Sequence, residues 1–136
     1  MKKVDVMNAV NALGRVAVNK IKNDLVRNTL IFDYRVLRKA SREIEQERAD
    51  LQEKFRADFA DEVLEVAALR EAMKPVTDHK EFLAAEAEAN RQIKALFQED
   101  IERELSKVTV EDFVKAVKDG DYTLEDLATL DGIILE

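Results

Sequence analysis

Between Tyr34 and Phe55 the chain reads YRVLRKASREIEQERADLQEKF, and Tyr34, Leu37, Ser41, Ile44, Arg48, Leu51 and Phe55 recur at alternating steps of three and four. That spacing places them on one helical stripe, the a/d seam of a helix facing a partner helix. Charged or small residues fill most of the intervening positions, as a helix with its other faces in water requires. These seven residues are the candidate helix–helix interface. Two of them are polar: Ser41 and Arg48 read either as register-setting seam positions or as edge positions with the Arg48 stem packed and its head in water.

Applied along the chain, the same reading predicts a first helix over 5–22, with Asp5 as N-cap and Val6, Val10, Leu13, Ala17 and Ile21 as its stripe. Ala9, Ala12 and Val16 widen that stripe, and Gly14 marks a close helix–helix contact. Residues 23–29 read as a turn or as helix. A central long helix follows over 31–74; its last part, with Val63, Leu64 and Val66, also fits a short strand. Pro75 ends it. Thr77 or Asp78 then caps a third long helix over 79–106, whose stripe is Phe82, Ala85, Ala89, Ile93, Leu96, Phe97, Ile101 and Leu105. Two long amphipathic helices about a proline turn imply an antiparallel hairpin.

The tail, 107–136, reads as short helices. Thr109 with Asp112 and Thr123 with Asp126 are two helix starts, and Asp119-Gly120-Asp121 lies between them as a turn. Leu127, Leu130, Ile133 and Ile134 make the end apolar, a candidate docking surface. The expected fold is therefore all-α: one helical domain over 1–136, built as a long antiparallel helical hairpin with the N-terminal helix packed on it and a small C-terminal helical unit.

Composition narrows this picture. Charged residues are 38% of 136, with 3 Gly and 1 Pro, which suits long helices and leaves little material for β turns. No apolar run approaches the ~18 residues needed to span a membrane. Asp5, Asn8 and Asn11 interrupt the N-terminal apolar stretch, so it does not read as a signal peptide. The lack of cysteine removes disulfide and thiol chemistry and fits a cytoplasmic product.

The formal charge of −7 is unevenly spread. Residues 1–40 carry nine basic side chains (Lys2, Lys3, Arg15, Lys20, Lys22, Arg27, Arg35, Arg38, Lys39) against Asp5, Asp24 and Asp33, a balance of +6 that leaves −13 on the remainder. A basic arm serves either a nucleic acid or an acidic surface, including an acidic surface of the same protein.

Catalytic and metal motifs are not found. A bundle di-iron site needs Glu-x-x-His from two helices, and the chain has one histidine, His79. Glu99, Asp100, Glu102 and Glu104 read as a solvated face. A calcium loop begun at Asp119, with Asp121 and Thr123, would need glycine and glutamate where Leu124 and Leu130 stand. Phosphate loops and nucleophile elbows are lacking too. The sequence predicts no catalytic residue, no cofactor and no metal.

Met-Asn-Ala-Val-Asn-Ala-Leu (Met7–Leu13), Ile44–Leu51, Val110-Glu111-Asp112-Phe113, Thr123–Leu127 and Leu130-Asp131-Gly132-Ile133-Ile134 together resemble a family of small helical proteins of unknown function encoded in phage and prophage genomes. The likeness covers most of the chain. The stretch from Asp61 to Thr77 departs from it, being helical here where related chains are Gly-rich and strand-like. The resemblance implies a product acting in a bacterial cytoplasm, in virion assembly. With the heptad seam, it gives the expected function: a non-enzymatic interaction or assembly factor working through helix–helix packing, with a protein partner or as a homo-oligomer, and with no membrane contact. Nucleic-acid binding through the basic first 40 residues is the alternative.

Overall fold

A computed structural model describes residues 1–118 and 121–136, and it is all-α. Its elements are α1 (Lys3–Arg15), a 3₁₀ turn (Val18–Lys20), α2 (Asp24–Asp58), α3 (Ala60–Glu71), α4 (Lys80–Gln98), α5 (Val110–Ala116) and α6 (Leu124–Leu130). Where the sequence reads as one domain, the chain gathers into two compact units: residues 1–44 with 98–136, and residues 45–97. Helix α2 contributes to both.

In the first unit α1 is shorter than the expected 5–22. Asp5 is not its N-cap but its third residue, and its carboxylate accepts the Lys2 backbone N–H at 2.8 Å. The helix stops at Arg15, one residue past Gly14, where β-branched Val16 and Val18 follow. No close contact explains Gly14, because a Cβ there would meet nothing within 4 Å. Residues 24–29 are helical, with Asn23 Oδ1 capping α2 by accepting from Val26 N–H at 3.1 Å.

The buried row of α2 in this unit is Val26, Leu30, Asp33, Leu37, Ala40 and Ile44. It shares only Leu37 and Ile44 with the predicted seam; Tyr34 and Ser41 are half-buried beside it. Ser41 Oγ donates to Met7 Sδ of α1 at 3.2 Å, so the polar seam position is held by a contact inside the chain.

The expected helix over 79–106 ends at Gln98. Glu99, Asp100, Glu102 and Glu104 would crowd negative charge at a helix C-terminus, where the macrodipole opposes it. The backbone leaves the helix to pair with the chain start instead: Lys3 N–H donates to Glu99 O and Ile101 N–H to Met1 O, both at 2.9 Å. Lys3 adds an ion pair to Glu99 at 2.7 Å.

The short C-terminal helices begin at Thr109 and Thr123 as expected, each hydroxyl accepting from the N–H three residues on, at 3.0 Å. The turn expected at Asp119-Gly120 and the start of the rejected calcium loop fall outside the described residues. Leu130, Ile134 and Leu135 are fully buried, Leu127 and Ile133 half-buried. Val108 N–H donates to Ile134 O and Glu136 N–H to Val108 O, tying the last residues alongside 108–110. The apolar end expected to dock a partner is taken up largely within its own unit. Glycine at 132, with φ 77°, permits the turn that folds it back.

The second unit centres on three rings. Phe55 lies 5.7 Å from Phe59 and 5.2 Å from Phe82, and Phe59 meets Phe82 edge-on at 5.9 Å. The predicted helix over 31–74 breaks at Phe59, whose backbone (φ −131°, ψ 37°) leaves helical geometry at the residue whose ring meets both of the others. Residues 60–71 then resume as helix, not strand, and end in a left-handed residue, Met73 (φ 57°), with Lys74 N–H donating to Leu69 O at 2.8 Å. Arg70 holds Glu86 through two hydrogen bonds, at 2.9 and 2.7 Å. Phe55 thus packs within this unit, Leu51 is half-buried, and Arg48 bonds Glu45 and Gln52.

Candidate functional site

The end of α1, the 3₁₀ turn and α2 enclose a groove of about 840 Å³ in the first unit. One wall is the segment Leu13–Lys20, bent out of the helix where α1 stops; the other is α2 from Ile31 to Arg42. Leu13 and Val16, both buried, line it with Ala17, Val18 and Ile31 as apolar surface. Its polar side chains are Asn19, Lys20, Tyr34, Arg35, Arg38, Lys39 and Arg42. No carboxylate lines it.

Helical spacing assembles the cations. Arg35, Lys39 and Arg42 sit at i, i+4 and i+7 on α2, with Arg38 beside them at i+4 from Tyr34. The Arg38 guanidinium lies 5.9 Å from the Tyr34 ring centroid and donates to its hydroxyl at 3.3 Å, so ring and cation present one surface. Lys20, Arg35, Lys39 and Arg42 are exposed and have no carboxylate partner among the described residues. Like charges this close raise the local positive potential, and the apolar wall concentrates the field in the groove. A surface of this kind attracts an anion and gives it apolar surface to lie on.

The basic arm therefore divides. Lys3, Arg15 and Arg27 are used inside the unit, on Glu99, Asp126 and Asp24. Lys20, Arg35, Arg38 and Lys39 join Arg42 at the groove. Lys22 borders a smaller cavity of about 340 Å³ where Lys20, Lys115 and Lys118 also stand, here beside two carboxylates, Asp112 and Asp121. Sequence spacing alone contained the signal for the groove, four cations within eight residues of α2. The position of residues 13–20 opposite them depended on α1 ending early.

Two buried carboxylates frame the unit's electrostatics. Asp126 is 2% exposed; it accepts Arg15 Nε–H at 2.9 Å and the Thr123 N–H at 3.2 Å, and the Arg15 bond holds its pKa below the usual range. Asp33 is fully buried, one oxygen accepting Ser106 N–H at 2.8 Å and the other without a partner. Burial pushes its pKa up to about 6, against the lowering effect of the Ser106 bond.

Of the predicted interface residues, Tyr34 lines this groove and the rest do not. His79 pairs with Glu62 at 3.0 Å in the second unit, and the described residues hold no group of three or more His, Cys, Asp or Glu placed to share a metal. No helix among them is long and apolar enough to cross a membrane. No family model, curated protein or solved structure matches the chain.

Proposed function

We propose that this chain is a binding protein that captures an acidic stretch of a partner protein in the groove between residues 13–20 and 31–42, and acts as an interaction or assembly factor. The observation that carries this is the lining: five cations over an apolar wall, with no acidic residue among them. Charge attraction to the cations and contact with the apolar wall both contribute to affinity in such a site, and the cations also choose the sign of the partner and speed its arrival. The groove is a local basic surface on a chain of formal charge −7, so anion binding is confined to it. The resemblance to phage-encoded helical proteins supplies the setting, assembly in a bacterial cytoplasm.

Calorimetric titration with a glutamate-rich peptide tests the proposal. Replacing Arg35, Arg38 and Arg42 together by Gln removes three charges without touching the core. Binding by the native chain that weakens with salt, and that the triple variant loses, is expected; equal binding by both would refute the proposal. A second reading rests on the Tyr34–Arg38 surface, which offers a stacking platform beside cations, as single-stranded nucleic acid uses. An oligonucleotide that binds more tightly than the peptide at equal salt would select it.

A further inference from the structure

Helix α2 has a second heptad row besides its buried one. Leu25, Asn28, Phe32, Arg35, Lys39 and Arg42 follow at steps of three, four, three, four and three, and all six are exposed. Leu25 is 78% exposed and Phe32 48%, large apolar side chains seven residues apart, in water. Arg35, Lys39 and Arg42 of the same row also line the groove. From Leu25 to Arg42 the row runs for about 26 Å at ~1.5 Å per residue. An exposed row alternating by three and four over five turns is the surface that a second helix packs against.

We infer that this row docks one acidic amphipathic helix of a partner protein. The occupant's two apolar side chains, one heptad apart, cover Leu25 and Phe32, and its Asp or Glu side chains lie along Arg35, Lys39 and Arg42. The charge pattern makes the choice: the row carries three cations and no anion, so a basic or neutral helix would leave them unmatched. An extended acidic strand presents side chains at a period of two, which does not follow a row stepping by three and four. The inference rests on the groove being a site for an acidic protein segment and adds the partner's conformation and apolar register.

The test uses the full chain and two synthetic peptides of about 18 residues, a length set by the row. One has two leucines seven residues apart and glutamates at heptad spacing beyond them. The other is its scramble, with the same composition and charge and no amphipathic face. Titration with circular dichroism should show the first becoming helical on the protein and binding at least about tenfold more tightly than the scramble. Phe32→Ser, a change at an exposed position, should remove that advantage and leave the scramble's affinity unchanged. K39E with R42E should weaken both peptides. Equal affinity for both peptides, unaffected by Phe32→Ser, would overturn the helical partner while leaving the groove as an anion site. Binding of neither would overturn the groove reading as well. A native dimer that Phe32→Ser converts to monomer in light scattering would make a second copy the occupant and overturn the inference.

Discussion

Asp33→Asn should flatten the pH dependence of the first unit's stability. Asp33 is fully buried on α2 with one oxygen unpartnered, and its pKa of about 6 lies above the ~3.9 of an aspartate in an unfolded chain. A folded-state pKa raised in this way favours the protonated, folded form. Its contribution is fully present below about pH 4 and is lost as pH rises through 6. Two units at ~1.36 kcal/mol each amount to about 3 kcal/mol between pH 4 and pH 7.5. Asparagine keeps the oxygen that accepts Ser106 N–H and has no charge to titrate. Its amide hydrogens take the place of the unpartnered oxygen and cost about 1–3 kcal/mol at every pH. The absolute stabilities of the two proteins therefore differ little near neutrality, and the slope carries the information. Urea unfolding across pH 4.5–8 can be followed in this unit alone by tyrosine emission, because both tyrosines, Tyr34 and Tyr122, lie in it and the chain has no tryptophan. Native protein should lose stability relative to the variant as pH rises through 6. Parallel curves would refute the buried, ionisable Asp33.

Three further outcomes follow from single contacts. Asp126→Ala removes the Arg15 bond and the carboxylate that accepts the Thr123 N–H, leaving the Thr123 cap on the residue-126 N–H in place, and should cost about 2–3 kcal/mol at pH 7; since Arg15 holds the Asp126 pKa low, thermal melts should show the difference shrinking as pH falls below 4. Met73→Gly relieves a non-glycine residue at φ 57° on an exposed C-terminal turn and should stabilise the second unit by about 1 kcal/mol in urea titrations. Phe82→Ala removes the ring shared by the other two and should cost about 3–5 kcal/mol, with amide exchange accelerating across 60–71 and 80–97 while 1–15 and 110–117 keep their protection.

The all-α class was legible because helical periodicity and the scarcity of Gly and Pro agree over most of the chain. The two capped starts, Thr109 and Thr123, were legible because a hydroxyl three residues before an aspartate is a local device. Helix ends depended on partners distant in sequence. The break at Phe59 serves a ring cluster completed by Phe82, and the end of α4 at Gln98 serves a pairing with residues 1–3, neither of which periodicity can register. The buried row of α2 was displaced from the predicted seam for a related reason. An aspartate, Asp33, occupies it, and an apolar count passes over that residue; Ala40, the smallest side chain of the row, was outweighed by Ser41 in the seam that runs on to Leu51 and Phe55. Arg35, Arg38, Lys39 and Arg42 were read as the solvated side of a heptad helix. Their role as one wall of a groove appears only when Val16 to Lys20 bend back opposite them.

The most direct test of the groove is an amide chemical-shift titration of the ¹⁵N-labelled full chain with the glutamate-rich peptide at low salt. Saturable shifts confined to 13–20 and 31–42, reversed by added salt, are the predicted result. Shifts centred elsewhere, or none at millimolar peptide, would contradict the account.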